Sequence, residues 1–358
     1  MEVNDDAPAG PRLRALVWGA GAIGGVVGAH LARAGHDVTF VDANRAHVKA
    51  ARRDGLRIVG PIDTFTVHAP FVGPDEVDGT WDWLLLAVKA LDTERAAAGL
   101  APHVSERGCV VSMQNGLNEV VLAQTVGAER TMGAFVNFGA DVLEPGIVQF
   151  SGRGAVVLGE LDGRASERLQ RLTVALRDFE PGAETTDNIW GYLWGKMGYG
   201  AMLFAEALTD ASIVDTLADA TVQPVLATLA QEVMEVASAH GATPVGFNGF
   251  DPAAFAPGGD AAARKASFDA MVAFNQHSAK THSGVWRDLA VHHRKTETDA
   301  QFAPILGIAE EHGVAVPYLR RLVELMHDVE NGRRARAWDN LAAIAEDQPE
   351  GDRHAAAL

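Results

Sequence analysis

The most constraining feature of the chain is the turn Gly19-Ala20-Gly21-Ala22-Ile23-Gly24, because it stands where an apolar run ends and a helix-forming stretch begins. Leu13 to Trp18 reads as a strand, and Val26 to Ala34 as a helix that Gly35 stops. Val38-Thr39-Phe40-Val41 is a β-branched second strand ending at Asp42, 18 residues beyond Gly24. A lone G-x-G-x-x-G pattern is common, but strand, turn, helix and strand within about 30 residues make a βαβ unit. There each glycine has a physical job. Gly19 permits the tight turn, Gly21 lets a pyrophosphate approach the backbone, and Gly24 lets the helix lie close on the sheet. The backbone amides of Ala20, Ala22 and Ile23 lie where a helix N-terminus holds phosphates.

Asp42 can accept both ribose hydroxyls of NAD, and its charge opposes the extra phosphate of NADP. NAD is therefore the expected cofactor. Arg45 keeps NADP as the alternative, since a guanidinium three residues on can turn onto a 2'-phosphate. Asp42 can also serve simply as the cap of a helix starting near Asn44.

At 358 residues the chain exceeds one ordinary domain, and the pattern changes along it. Up to residue 187, strands alternate with helices: a helix over 43–53, extended stretches over 56–59 and 64–72, a strand over 83–88, a helix over 93–100 and a strand over 108–113. Pro145-Gly146 marks a hairpin turn. From Asn188 alanine- and leucine-rich stretches such as 220–240 place apolar residues at helical spacing. The expected fold is α/β, a Rossmann-type doubly wound sheet domain over 1–187 followed by an all-helical domain over 188–345. Residues 1–11 and 346–358 read as flexible tails, and 247–260, rich in glycine, proline and alanine, as a loop interrupting the helices.

Charge excludes some partners. Thirty basic residues against 47 acidic ones give a formal charge of -17, which repels nucleic acid and anionic lipid. An anionic cofactor must then be held by local backbone amides. The single cysteine, Cys109, lies in an apolar run and reads as a buried strand residue. The acidic start lacks a signal-peptide layout, and no apolar run reaches the roughly 18 residues that span a bilayer, so a cytoplasmic location is expected. His277, His282, His292 and His293 gather in the second half without a metal-binding spacing, and no metal is expected.

Five ordered motifs carry a resemblance over most of the chain: Gly19 to Gly25, Val88-Lys89-Ala90, Gln114-Asn115-Gly116-Leu117-Asn118, Trp194-Gly195-Lys196, and Ser283 through Asp288 to Thr296-Glu297-Thr298-Asp299. Together they resemble the ketopantoate reductase (2-dehydropantoate 2-reductase) family. The resemblance implies that Lys196 is the general acid that protonates a carbonyl as hydride arrives. It places Asn115 by the nicotinamide and substrate, with Lys89 orienting cofactor or substrate. It also has Glu297 hydrogen-bonding a substrate hydroxyl and Ser283 contacting a substrate carboxylate, and it implies a homodimer.

The residues themselves support part of this. Lys89 and Asn115 each follow a strand, where a doubly wound sheet presents side chains to its crevice. Lys196 has Leu193 and Gly200 as helical neighbours, with Phe204 a turn further, which is no obviously solvated face. A snorkelling lysine is the alternative. Gly195, Gly198 and Gly200 weaken that helix by about 1 kcal/mol each, which close approach of a ligand or the other domain would explain. Glu297 is otherwise a surface glutamate in a charge-rich helix, and Ser283 a helix cap.

The chain also departs from the family. Asparagines four and eight residues after the catalytic lysine are replaced by Gly200 and Phe204, and the spacing from Asp288 to Glu297 is one residue longer. Apolar surface in place of buried amides implies a less polar substrate than ketopantoate. The expected function is hydride transfer between a nicotinamide cofactor and a small 2-oxo or 2-hydroxy acid carboxylate. The alternatives are a β-hydroxyacid or opine-type dehydrogenase, or a non-catalytic NAD(P)-sensing protein that would not need Lys196.

Overall fold

A computed structural model describes residues 12–278 and 280–346. It divides into two compact units between Ile189 and Trp190. The first unit contains twelve strands among the described residues: β1 (Arg14–Trp18), β2 (Asp37–Val41), β3 (Leu56–Val59), β4 (Phe65–Val67), β5 (Phe71–Val72), β6 (Trp81–Leu86), β7 (Val104–Ser112), β8 (Thr131–Val136), β9 (Gly139–Glu144), β10 (Ile147–Gly152), β11 (Val156–Glu160) and β12 (Glu184–Thr185). Between them lie α1 (Ala22–Arg33), α2 (Arg45–Asp54), α3 (Thr93–Leu100), α4 (Asn118–Val126) and α5 (Glu167–Leu176).

Eight strands form the main sheet in the order β12-β11-β8-β7-β6-β1-β2-β5. All neighbours are parallel except β8 and β11. Strands buried on both faces read as continuous apolar runs, and β1 and β6 do so, with Leu16, Val17, Leu84 and Leu85 fully buried. The register sets Trp18 beside Val41 and Leu86, and Leu86 beside Ser112. The carboxyl ends of β1, β2, β6 and β7 therefore lie level. The strand order reverses at β1, which is where an open α/β sheet forms its ligand crevice.

A second, smaller sheet has the order β4-β3-β10-β9. Pro145-Gly146 makes the β9–β10 hairpin as expected, with Gly146 at φ 82°. The expected extended stretch over 64–72 is instead split, β4 joining this small sheet and β5 the edge of the main one. Helix α1 is buried on both sides because both sheets approach it. A Cβ on Gly28 would meet the Phe40 ring at 2.4 Å, and one on Gly25 would meet Val148 at 3.3 Å. Only glycines admit that double packing.

Among its described residues the second unit is helical: α6 (Ile189–Ala207), α7 (Ile213–Ala218), α8 (Gln223–Ala239), α9 (Pro252–Phe255), α10 (Ala261–Gln276), α11 (Gly284–Ala290), α12 (Thr298–His312), α13 (Pro317–Glu330) and α14 (Asp339–Ala343). Residues 247–260 do more than connect. They hold α9, and Phe250 and Phe255 stack with centroids 5.2 Å apart in the core. No helix among the described residues is long and apolar enough to cross a membrane.

Gly195 and Gly198 have a packing reason inside this unit. A Cβ on Gly195 would lie 2.0 Å from the Val245 carbonyl oxygen, and one on Gly198 would meet Met234 at 2.7 Å and Phe250 at 2.8 Å. The backbone of 245 crosses α6 at this point, donating its amide to Gly191.

Helix α13 begins against α8 through one carboxylate. Glu232, 5% exposed, accepts from the amides of Tyr318 (2.9 Å) and Leu319 (2.8 Å), satisfying two of the donors that a helix start leaves open. Each charge-assisted bond contributes about 1.5–3 kcal/mol. Glu232→Ala is expected to lower stability by about 3 kcal/mol, read as a fall in the urea midpoint, and Glu232→Gln by roughly half as much because one acceptor remains.

Candidate functional site

In the first unit the glycine turn has the form its sequence implies. Gly19 sits at φ 99°, and a Cβ there would lie 2.6 Å from the Val88 nitrogen. Gly24 faces the backbone of the same turn, where a Cβ would lie 2.1 Å from the Gly19 carbonyl oxygen and 2.9 Å from Val17. Gly21 differs: nothing lies within 4 Å of the Cβ position. It is also the N-cap of α1, with no side chain capping the helix and no acidic residue in its first turn. The helix start thus keeps open donors, a positive dipole end and free space together. That is the fit a pyrophosphate needs, with the amides of Ala22 and Ile23 as its donors. Ala20 is buried, and its amide bonds the Val41 carbonyl, tying the turn to the end of β2.

Asp42 follows directly, half-buried, with its amide on the Val72 carbonyl. It is not the cap of α2: Asn44 caps that helix, accepting from Ala46 and His47 amides at 3.0 and 3.2 Å. One Asp42 oxygen accepts the Asn44 amide at 2.8 Å, which orients the carboxylate. Arg45, the first residue of α2, is exposed.

Lys89 lies in the loop after β6 and is half-buried. Asn115 is exposed after β7, between buried Gln114 and buried Gly116, whose φ of 96° turns the chain there. The first unit therefore gathers the glycine turn, Asp42, Lys89 and Asn115 on the carboxyl ends of four adjacent strands. Cys109, within β7, is fully buried, and burial pushes its thiol up to about 12, which makes it unreactive.

In the second unit Lys196 is half-buried on α6, and Gly200, one turn on, is half-buried with nothing within 4 Å of its Cβ position. Open space thus adjoins the lysine's face of the helix. Phe204 does not line an open surface. It is 2% exposed and packs edge-on against Phe302 of α12, with centroids 4.9 Å apart, because an aromatic ring at that position is worth more in the core than in water.

Glu297 precedes α12 as its N-cap residue and is half-buried, so the alternative, a surface glutamate within a charge-rich helix, does not hold: Arg294 and Lys295 lie before the helix and only Asp299 is in it. The loop before it is pinned at both ends. The buried Asp288 carboxylate accepts Arg294 at 2.7 Å, and Glu330 accepts both the amide (2.8 Å) and the hydroxyl (2.5 Å) of Thr296. Within this loop His293 takes φ 47°.

Ser283 takes the alternative reading, a helix cap. It is 1% exposed and caps α11, its hydroxyl accepting the Trp286 amide at 3.0 Å. It also faces the buried carboxyl of Glu206. Glu206 itself was not singled out from sequence, although a lone acid in Phe204-Ala205-Glu206-Ala207-Leu208 is a visible signal. Burial pushes its carboxyl up to about 7, against the opposing pull of Ser283, Lys280 and Arg336. Among the described residues neither oxygen makes a well-formed hydrogen bond.

The histidines do not converge. His282 stacks on Trp286 with centroids 3.9 Å apart, and His277, His292 and His293 are exposed. Among the described residues no three histidine, cysteine, aspartate or glutamate side chains are placed to hold a metal ion.

Comparison with known proteins agrees with both units. Residues 15–163 match the family model described as ketopantoate reductase PanE/ApbA, and residues 188–330 match its C-terminal model. The 2-dehydropantoate 2-reductase of Halobacterium salinarum is 30% identical over 325 residues, covering 88% of this chain and 98% of its own. That of Archaeoglobus fulgidus is 35% identical over 184 residues, 51% of this chain and 59% of its own. Among solved structures, the 2-dehydropantoate 2-reductase of Geobacter metallireducens superposes with a TM-score of 0.76 at 26% identity, over 88% of this chain and 99% of that one. A D-mandelate dehydrogenase with NADH and anilino(oxo)acetate shares the fold, with a TM-score of 0.77 at 23% identity, over 89% and 99%.

Two predictions follow from the geometry. Gly21→Ala should leave stability within about 0.5 kcal/mol of wild type, because its methyl meets no atom, yet weaken dinucleotide binding in a titration at least about tenfold. Gly24→Ala should instead destabilise the fold by about 1–3 kcal/mol. Glu206 holds a proton in the folded state at pH values where the unfolded chain, at 4.5, has lost it. Stability should therefore fall as pH rises from about 4.5 to 7, by up to about 3 kcal/mol, and level off above. Unfolding curves of Glu206→Gln should lack that slope.

Proposed function

The chain belongs to the ketopantoate reductase family, and from that premise we propose that it reduces a 2-oxo acid whose side chain is less polar than that of ketopantoate, acting as a homodimer. The observation that carries the reading is the half-buried Lys196 on α6 with open space over Gly200 one turn away. When bound, a reduced nicotinamide supplies hydride to the carbonyl carbon. The Lys196 ammonium gives its proton to the carbonyl oxygen as negative charge develops there, so the oxo acid leaves as a hydroxy acid and the lysine is left neutral. Asn115 orients the carbonyl, Lys89 steadies cofactor or carboxylate, and Glu297 accepts from the hydroxyl that forms at C2 as the carbonyl is reduced.

Gly200 decides the substrate class. Where an amide would pair with a polar substituent, this chain offers a methylene. A site without such a partner gives up the strong discrimination that a buried hydrogen bond provides and accepts an apolar side chain instead. Aryl and branched-alkyl oxoacetates are the class that fits. The anilino(oxo)acetate held by the D-mandelate dehydrogenase of the same fold has that character.

Asp42 supports NADH over NADPH. Its carboxylate is oriented by the Asn44 amide at the end of β2, where a ribose 2'-hydroxyl is bound and a 2'-phosphate repelled. The test is a panel of 2-oxo acids, ketopantoate included, with NADH and NADPH oxidation followed by absorbance. We expect turnover on apolar 2-oxo acids, at least about tenfold lower kcat/KM on ketopantoate, and NADH favoured until Asp42→Ala narrows the preference. Lys196→Met should bind NADH as wild type does and lose about 100-fold or more of kcat. Binding without turnover on any acid would leave a nicotinamide-sensing protein; wild-type rates in Lys196→Met would remove the proton donor.

A further inference from the structure

The loops that carry Lys89 and Asn115 are joined by a buried chain of hydrogen bonds that the assignments above do not use. Gln114 donates one amide hydrogen to the Val88 carbonyl (2.9 Å) and the other to the Thr93 hydroxyl oxygen (2.7 Å). Thr93 donates in turn to the Asn118 side-chain oxygen (2.8 Å), and the Asn118 amide donates to the Asn115 carbonyl (2.6 Å). Thr93, Gln114 and Asn118 are all at most 5% exposed.

The direction of every bond is fixed by its ends. Val88 and Asn115 offer carbonyls, which only accept, so Gln114 and Asn118 must turn their amide nitrogens toward them. Asn118 then presents oxygen to Thr93, and Gln114 presents nitrogen. Only a hydroxyl, which accepts and donates at once, can stand between them. Gln114 gains little for itself, since its own side-chain oxygen is buried without a partner. What the chain satisfies is one carbonyl beside Lys89 and the carbonyl of Asn115.

We propose that Thr93 is a positioning residue for the reduction, its hydroxyl tying the exit of β6 to the exit of β7 so that Lys89 and Asn115 keep one spacing. The proposal rests on the roles given above to those two residues. Thr93 and Asn118 are the first residues of α3 and α4, so the tie also fixes two helix starts against each other. Asn115 is an exposed side chain on a buried base, which is how a loop residue is held to the sub-ångström tolerance that catalysis requires.

The test compares Thr93→Val, Thr93→Ser, Asn115→Ala and the double variant Thr93→Val/Asn115→Ala. Thermal unfolding, the NADH dissociation constant from fluorescence titration, and kcat and KM on the 2-oxo acid that gives turnover are measured for each. Valine keeps the shape and loses the hydroxyl; serine keeps the hydroxyl and loses a buried methyl. We expect Thr93→Val to lose about tenfold or more in kcat and to bind NADH more weakly, and Thr93→Ser to recover most of both while being the less well packed protein. The double variant should lose clearly less than the product of the two single losses, since the tie acts in part through that residue. Activity that follows melting temperature rather than the hydroxyl, or a Thr93→Val enzyme at the wild-type rate beside an impaired Asn115→Ala, overturns the positioning role alone. Wild-type behaviour of Asn115→Ala removes the role of Asn115 and the proposal with it.

Discussion

The first unit depends on one close approach of backbone to backbone. The turn after β1 lies so near the chain leaving β6 that a single Cβ on Gly19 would overlap Val88 and Ala87. That contact holds the ends of β1 and β6 level, and Val41 holds β2 level with them by accepting both Gly19 and Ala20 amides at 2.8 and 3.2 Å. The free donors of α1, the carboxylate of Asp42 and the loop of Lys89 consequently open on one rim. Were the turn wider by one carbon, the helix would move off the sheet and its amides would no longer face the space over Gly21.

The same contact explains why this part of the molecule was legible in the sequence. A glycine required by sterics leaves a trace that no other residue can mimic, and the apolar runs on either side set the strand and helix periods. The hairpin at Pro145-Gly146 was legible for the same reason. Glycines in α6 carried the same trace with less meaning: Gly195 and Gly198 admit Val245, Met234 and Phe250, whereas Gly200 admits nothing, and spacing along the helix cannot tell these apart. Which neighbour crosses a helix is decided by the fold.

Polar residues were harder to read, because their roles depend on partners far off in sequence. Ser283 is a cap facing Glu206, and the two are 77 residues apart. Thr93 draws its meaning from Gln114 and Asn118, which only the pairing of β6 with β7 brings within reach. Glu297 sits at the helix start because Asp288 and Glu330 fix the loop before it. In each case the residue type alone permits several jobs, and tertiary hydrogen bonding selects one.

The division of labour between the units follows from which groups each can fix. Backbone amides, a helix start and one oriented carboxylate recognise a cofactor whose phosphates and ribose are constant, so glycine and aspartate suffice and the turn tolerates little change. Substrate side chains differ between members of a family, and on the proposed function the positions that meet them lie on α6, where each substitution alters one turn of one helix. Replacing an amide by the hydrogen of Gly200 disturbs no packing, because nothing occupies that space. Phe204 is held by Phe302 and so belongs to the core that keeps α6 and α12 together. A change of substrate can therefore proceed at Gly200 with the fold intact, whereas a change at Phe204 must be matched on α12. On the proposed function, that asymmetry makes Gly200 the position at which a change of substrate costs the fold least.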